Sequence, residues 1–145
     1  MDSEHALLDK VHQAGLTQLF SPDQLRVTKN GRVGNYGKGF YKTDAEDSEA
    51  VMNMIRLKAE ACSNLQGFDF LGSLEGGLGS GFLSSIMRQV QEEYHTKIIQ
   101  DFIMFETIAQ DFGSDISPYN QVLAFDKRVE HCNISHLLEK SAFKH

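Results

Sequence analysis

The sequence predicts an α/β fold: a partial doubly wound (Rossmann-like) parallel sheet with helices on both faces and three identifiable strands. Three observations predict it. Apolar runs of strand length at residues 67–74 (GFDFLGSL), 97–105 (KIIQDFIMF) and 132–138 alternate with longer segments of helical period. A glycine-rich stretch at residues 76–81 stands where the first strand gives way to a helix. Strand, helix, strand, helix, strand is the order that builds a parallel sheet with right-handed crossovers.

Each element has its own signal. Residues 6–13 (ALLDKVHQ) read as a short helix ended by Gly15, and Pro22 marks residues 20–25 as a turn. Residues 29–39 are polar and punctuated by glycine, which reads as a loop. Thr43 and Glu46 have the form of a capping box, and behind them Val51, Met54, Ile55, Ala61 and Cys62 make one apolar stripe. Asp44, Glu46, Asp47 and Glu49 fall in the first turns, where the helix dipole favours negative charge, and read as a solvated helix start. After the glycines the chain turns helical from Phe82, with Ile86 and Val90 on its stripe and Leu83 and Met87 beside it, ending near Tyr94. Residues 111–117 read as a loop, and Pro118 suits the first turn of a helix running to about residue 129.

Composition bounds the function. The 145 residues are read as one domain, 1–145, with no internal repeat or linker. A formal charge of −6 offers no basic stripe for nucleic acid. No run of 18 apolar residues is present to span a membrane. The opening Met1-Asp2-Ser3-Glu4-His5 does not have the form of a secretory signal. Two cysteines, Cys62 and Cys132, read as reduced thiols of a cytosolic protein.

The chemistry is expected at Ser73-Leu74-Glu75-Gly76-Gly77-Leu78-Gly79-Ser80-Gly81. Glycines let backbone N–H groups approach phosphate oxygens, and the following helix points its positive end at them. The stretch lacks the Gly-Lys-Ser/Thr of a Walker loop and the glycine spacing of a dinucleotide fingerprint. Two readings stay open: a phosphate cradle, or a tight turn that lets helix and strand pack closely. Elsewhere, His131, Cys132 and His136 fit no standard zinc spacing and read as ordinary residues. No serine or cysteine has a plausible base nearby.

Several blocks together resemble the tubulin family. Residues 75–81 stand where that family has Gly-Gly-Gly-Thr-Gly-Ser-Gly. Leu19-Phe20-Ser21-Pro22-Asp23-Gln24-Leu25 is similar to its Leu-Phe-His-Pro-Glu-Gln-Leu, and residues 34–41 (GNYGKGFY) to Asn-Asn-Tyr-Ala-Arg-Gly-His-Tyr. Residues 62–68 (CSNLQGF) resemble Cys-x-x-Leu-Gln-Gly-Phe, and Pro118-Tyr119-Asn120 matches Pro-Tyr-Asn. The blocks keep family order and cover essentially the whole chain. Leu8-Asp9-Lys10-Val11, residues 19–25 and Gly81-Phe82 favour the α type; Glu92-Glu93-Tyr94 looks β-like. The resemblance is to a truncated, divergent α-tubulin, part of the N-terminal nucleotide-binding domain.

The resemblance implies a cytoskeletal protein of the cytoplasm, a structural constituent of microtubules, with tubulin or microtubule proteins as partners. It implies GTP as ligand, with Mg²⁺ wherever nucleotide is bound. It places Glu4 at the phosphates and Mg²⁺, with Asp2 two residues before. Ser73 matches the serine ending the strand, and Gly76, Gly77, Leu78, Gly79, Ser80 and Gly81 the phosphate loop. Leu78 replaces a threonine that contacts phosphate, Lys140 an asparagine that bonds the guanine, and Gly34 a loop asparagine. The family's opening strand, its first glycine loop, the guanine-stacking aromatic and the catalytic glutamate all fall outside residues 1–145. No catalytic residue is therefore expected here, and the strand at 67–74 is expected to show an apolar edge. Glu75 adds a carboxylate at the loop mouth, costing a bound phosphate roughly 3 kcal/mol at ~5 Å and a dielectric of ~20. The helix N-terminus returns only about 0.3–2 kcal/mol. GTP affinity is expected to be weak or absent, which leaves a second role open: a non-catalytic module docking on tubulin or ciliary microtubules.

Overall fold

A computed structural model describes residues 13–15, 19–20, 24–27, 34–42, 45–105 and 116–143. The elements are α1 (Tyr36–Tyr41), α2 (Ala45–Ala61), β1 (Gly67–Ser73), a wide helical segment (Gly76–Phe82) that continues as α3 (Leu83–Glu93), β2 (Ile98–Phe105), α4 (Ser117–His131) and β3 (Ile134–Glu139). A 3-10 turn, Lys140–Phe143, follows β3. The strands form one parallel sheet in the order β1-β2-β3, with Ser73 opposite Met104 and Phe105 opposite Glu139. This is the three-stranded, Rossmann-like parallel sheet that the sequence predicts.

The core follows from the two periodicities. On β2 the alternate residues Ile99, Asp101 and Ile103 are buried, and the helices lie over that side. Ile86, Met87 and Val90 of α3 join Phe82, Ile99 and α2's Met52 in the main cluster. Each such side chain contributes roughly 1.5–3 kcal/mol on leaving water. A second cluster of Tyr36, Leu74, Ile103 and Ala124 sits at the carboxyl end of the sheet, around the glycines.

Among the described residues the helices that touch the sheet lie over one face, and Leu71, Ile98, Met104 and Ile134 on the other are exposed. Four expectations change. Residues 36–41, of which 36–39 were read as loop, are helical, because Asn35 caps the segment by accepting from the Gly37 N–H at 2.8 Å. Six residues are too few for a hydrophobic period to register. Residues 76–81, read as a turn, already belong to the helix, wound wider than an α-helix. Asp47, read with its neighbours as solvated, is buried and pairs with Arg26 at 3.3 Å. On α2, Met52 takes the innermost position, while Ala61 and Cys62 are exposed. The capping box at Thr43, most of the helix at 6–13 and most of the loop at 111–117 lie outside the described residues.

Candidate functional site

The glycine stretch lies at the carboxyl end of β1, the edge of an open parallel sheet where ligands bind. Ser73 is the last strand residue, and its Oγ accepts from the Glu75 N–H at 3.0 Å, closing a tight turn. Glu75 is extended, and its side chain makes no capping hydrogen bond. Gly76 takes φ +67°, a left-handed conformation open mainly to glycine, asparagine and aspartate. A Cβ there would meet nothing within 4 Å. The helix then begins, and its first N–H groups have no partner within it.

The remaining loop residues face the protein. Gly77 and Gly81 are buried, and Ser80 is buried with its Oγ donating to the Gly76 carbonyl. Leu78 packs its side chain against the main core cluster. Gly79 turns its carbonyl towards α4. α1 rests directly on this segment: a Cβ on Gly39 would lie 1.8 Å from the Gly77 carbonyl oxygen, so only glycine admits the contact. Asn120 of α4 pins α1 in turn, its Oδ1 accepting from the Tyr36 N–H at 2.9 Å and its Nδ2 donating to the Gly34 carbonyl at 2.7 Å. Two family-like blocks, residues 34–41 and 118–120, thus meet around a third.

Below the loop lies an ion pair that sequence reasoning missed. Arg128 of α4 and Asp101 of β2 are both 0% exposed, with Nη1 donating to Oδ2 at 2.6 Å. The second terminal nitrogen, Nη2, donates to the Gly79 carbonyl at 2.7 Å and lies 3.5 Å from the Ser73 carbonyl. Burial pushes the Asp101 carboxyl above its ordinary value, against the pull of Arg128. Only half of the signal was legible, a lone carboxylate within an apolar strand; the partner that meets it was not. A charge in an apolar period requires a buried partner.

The other predicted positions scatter. Glu4 and Asp2, the metal-side carboxylates, lie outside the described residues. Lys140 opens the 3-10 turn after β3, on the same carboxyl edge as the loop but two strands away, about 10 Å at ordinary strand spacing. His131 is buried with Nδ1 2.6 Å from Gln91 Oε1, whereas His136 stacks on Phe102 on the open sheet face. They do not converge with Cys132, and among the described residues no group of three acidic, histidine or cysteine side chains is placed to hold a metal. Burial raises the Cys132 thiol to about 11 and the Tyr36 hydroxyl to about 12, so neither is an activated nucleophile.

For a guanine nucleotide the fit divides between backbone and side chains. A left-handed glycine ahead of a helix start is the backbone an anion requires. The side chains oppose it, with a carboxylate at Glu75, no hydroxyl at Leu78, and the Ser80 hydroxyl already engaged.

Among the described residues no helix is long and apolar enough to cross a membrane. The family described as Tubulin/FtsZ family, GTPase domain, matches residues 1–144. The Tubulin beta-2 chain of Geotrichum candidum is 32% identical over 142 residues, covering 98% of this chain. The chain spans 31% of that relative's length. With one family model matching nearly every residue, and a parallel sheet presenting its glycine loop at a carboxyl edge, the chain belongs to the Tubulin/FtsZ family.

Proposed function

We propose that this chain serves as a tubulin-like cytoskeletal domain whose glycine loop keeps the backbone of a guanine-nucleotide site with weakened affinity. The observation that carries this reading is the left-handed Gly76 at the junction of β1 and the helix, its Cβ position open to solvent space. Its partners in this reading are tubulin or microtubule proteins, with GTP as ligand and Mg²⁺ entering with it. Glu4 would be the carboxylate towards the metal, and Ser73, Gly76 and Gly77 would line the phosphates. The α-like blocks at residues 8–11 and 19–25 support the α type, whereas the beta-2 relative supports the family only. No residue of this chain is assigned a part in hydrolysis.

Titration calorimetry with GTP and Mg²⁺ tests the reading. Weak, saturable binding is expected, and Gly76→Asp should abolish it while leaving the fold intact, since aspartate tolerates the left-handed conformation. The double variant Glu75→Gly, Leu78→Thr is expected to bind no better than the parent. Leu78 packs in the core, so its replacement loosens the loop as it restores a hydroxyl. Absence of any saturable signal at millimolar GTP would overturn the nucleotide reading. The docking-module reading would then lead, favoured by exposed apolar residues on the open sheet face and on α4.

A further inference from the structure

We infer that Arg128, anchored by Asp101, is the positioning residue of the glycine loop, holding it in its wide helical register through the Gly79 carbonyl. In an α-helix that carbonyl would accept from the N–H four residues on, at Leu83. Here the Leu83 N–H donates to Leu78 instead, five residues back. Gly79 is therefore passed over by its α-helical donor, and Arg128 Nη2 takes that place at 2.7 Å.

Such wide helical segments are rare and are frequently found at functional positions. Without a substitute donor, the segment would gain by tightening to α-register. Fixing the Gly79 carbonyl also fixes the peptide plane to Ser80, whose N–H points the opposite way from the guanidinium. Arg128 therefore governs which way the loop presents its amides without touching a ligand.

The guanidinium fits this task because its terminal nitrogens serve two partners at once. Nη1 is committed to Asp101 at 2.6 Å and Nη2 to the loop. The link reaches Ser73 as well, at 3.5 Å, so one side chain joins the last residue of β1 to the middle of the wide segment. A lysine has one nitrogen on a flexible stem and cannot reproduce that fork.

The functional consequence rests on the nucleotide reading above, but the structural one does not, and the experiment separates them. Arg128→Lys keeps the charge beside Asp101 and loses the second contact. Amide hydrogen exchange in the ligand-free protein should quicken about 10-fold or more across Gly76–Phe82, with β2 and α2 unchanged. A second variant, Asp101→Leu with Arg128→Met, removes the clamp without leaving a buried charge. It should show the same local quickening in a folded protein. Unchanged exchange in the loop of both variants, or an equal rise in β2 and α2, would overturn the inference. GTP titration of the Lys variant is the separate arm. If the parent binds GTP, the variant should bind it at least several-fold more weakly, and equal affinity would overturn the inference. A parent that binds none strikes the nucleotide reading alone, and exchange still decides the role of Arg128.

Discussion

Helices α3 and α4 lie side by side against the same sheet and are built on opposite principles. α3 turns Ile86, Met87 and Val90 inwards, and each is buried as an apolar stripe should be. α4 does the reverse. Its buried residues include Asn120, Arg128 and His131, while Tyr119, Val122 and Val129 are 71%, 69% and 62% exposed. The difference reflects what each helix holds. α3 packs its apolar stripe into the main core cluster, with Ser84 and Ser85 buried beside it. α4 reaches across to backbone through Asn120, to α1, and Arg128, to the glycine segment, while His131 meets the Gln91 side chain of α3. Backbone groups are satisfied by hydrogen bonds, so a helix that positions a loop must bury polar side chains. Apart from Ala124, its apolar residues are largely left outside, a surface of the kind that meets partners.

The comparison is broken most directly at Asp101. Asp101→Ala leaves the Arg128 charge buried without its partner and should cost about 3–5 kcal/mol in denaturant unfolding. Val129→Ser on the outer side of the same helix should stay within about 0.5 kcal/mol. If the two costs prove similar, α4 is not organised from its polar side.

A smaller effect is expected at Asn120. Asn120→Ala strips the Tyr36 N–H and the Gly34 carbonyl of their side-chain partner, at about 1–3 kcal/mol. Exchange of the Tyr36 amide should quicken with it. A loss of stability without that local signature would mean that α1 is held by its glycine contacts alone.

The smallest effect is a pH dependence. Burial holds the His131 ring below the ordinary histidine range, so the native state favours the neutral ring. Its contribution to stability is present above about pH 6.5 and is lost as pH falls, because the unfolded chain takes up the proton first. The unfolding midpoint should drop as the pH falls below about 6.5, and His131→Gln should flatten that slope. A slope unchanged in the variant would assign it to other groups.

Much was legible in the residues. The strands at 67–73, 98–105 and 134–139 fall within about two residues of the apolar runs, because a short run of aromatic and β-branched residues is itself the strand signal. The family blocks, the strand-to-helix glycines and the stripe of α3 were equally readable, since each is a local pattern or a direct match. Helix α1 was not, because its stability comes from Asn35 and from backbone contact with Gly77, not from a period. Nor was the width of the helix at residues 76–82, which depends on Arg128 arriving from 49 residues further along the chain.

Sequence by itself thus determined the order and direction of the strands, because alternation and length are properties of consecutive residues. It also determined family membership, and the two side chains, Glu75 and Leu78, that depart from the phosphate loop. Tertiary structure alone decided that Leu78 packs into the core and that Gly39 and Gly77 touch. It also decided that a buried arginine and aspartate meet beneath the loop. Asp101 and Arg128 stand 27 positions apart and Arg128 and Gly79 49, and a burial cost is offset only when the partner is in place. No local pattern carries that information.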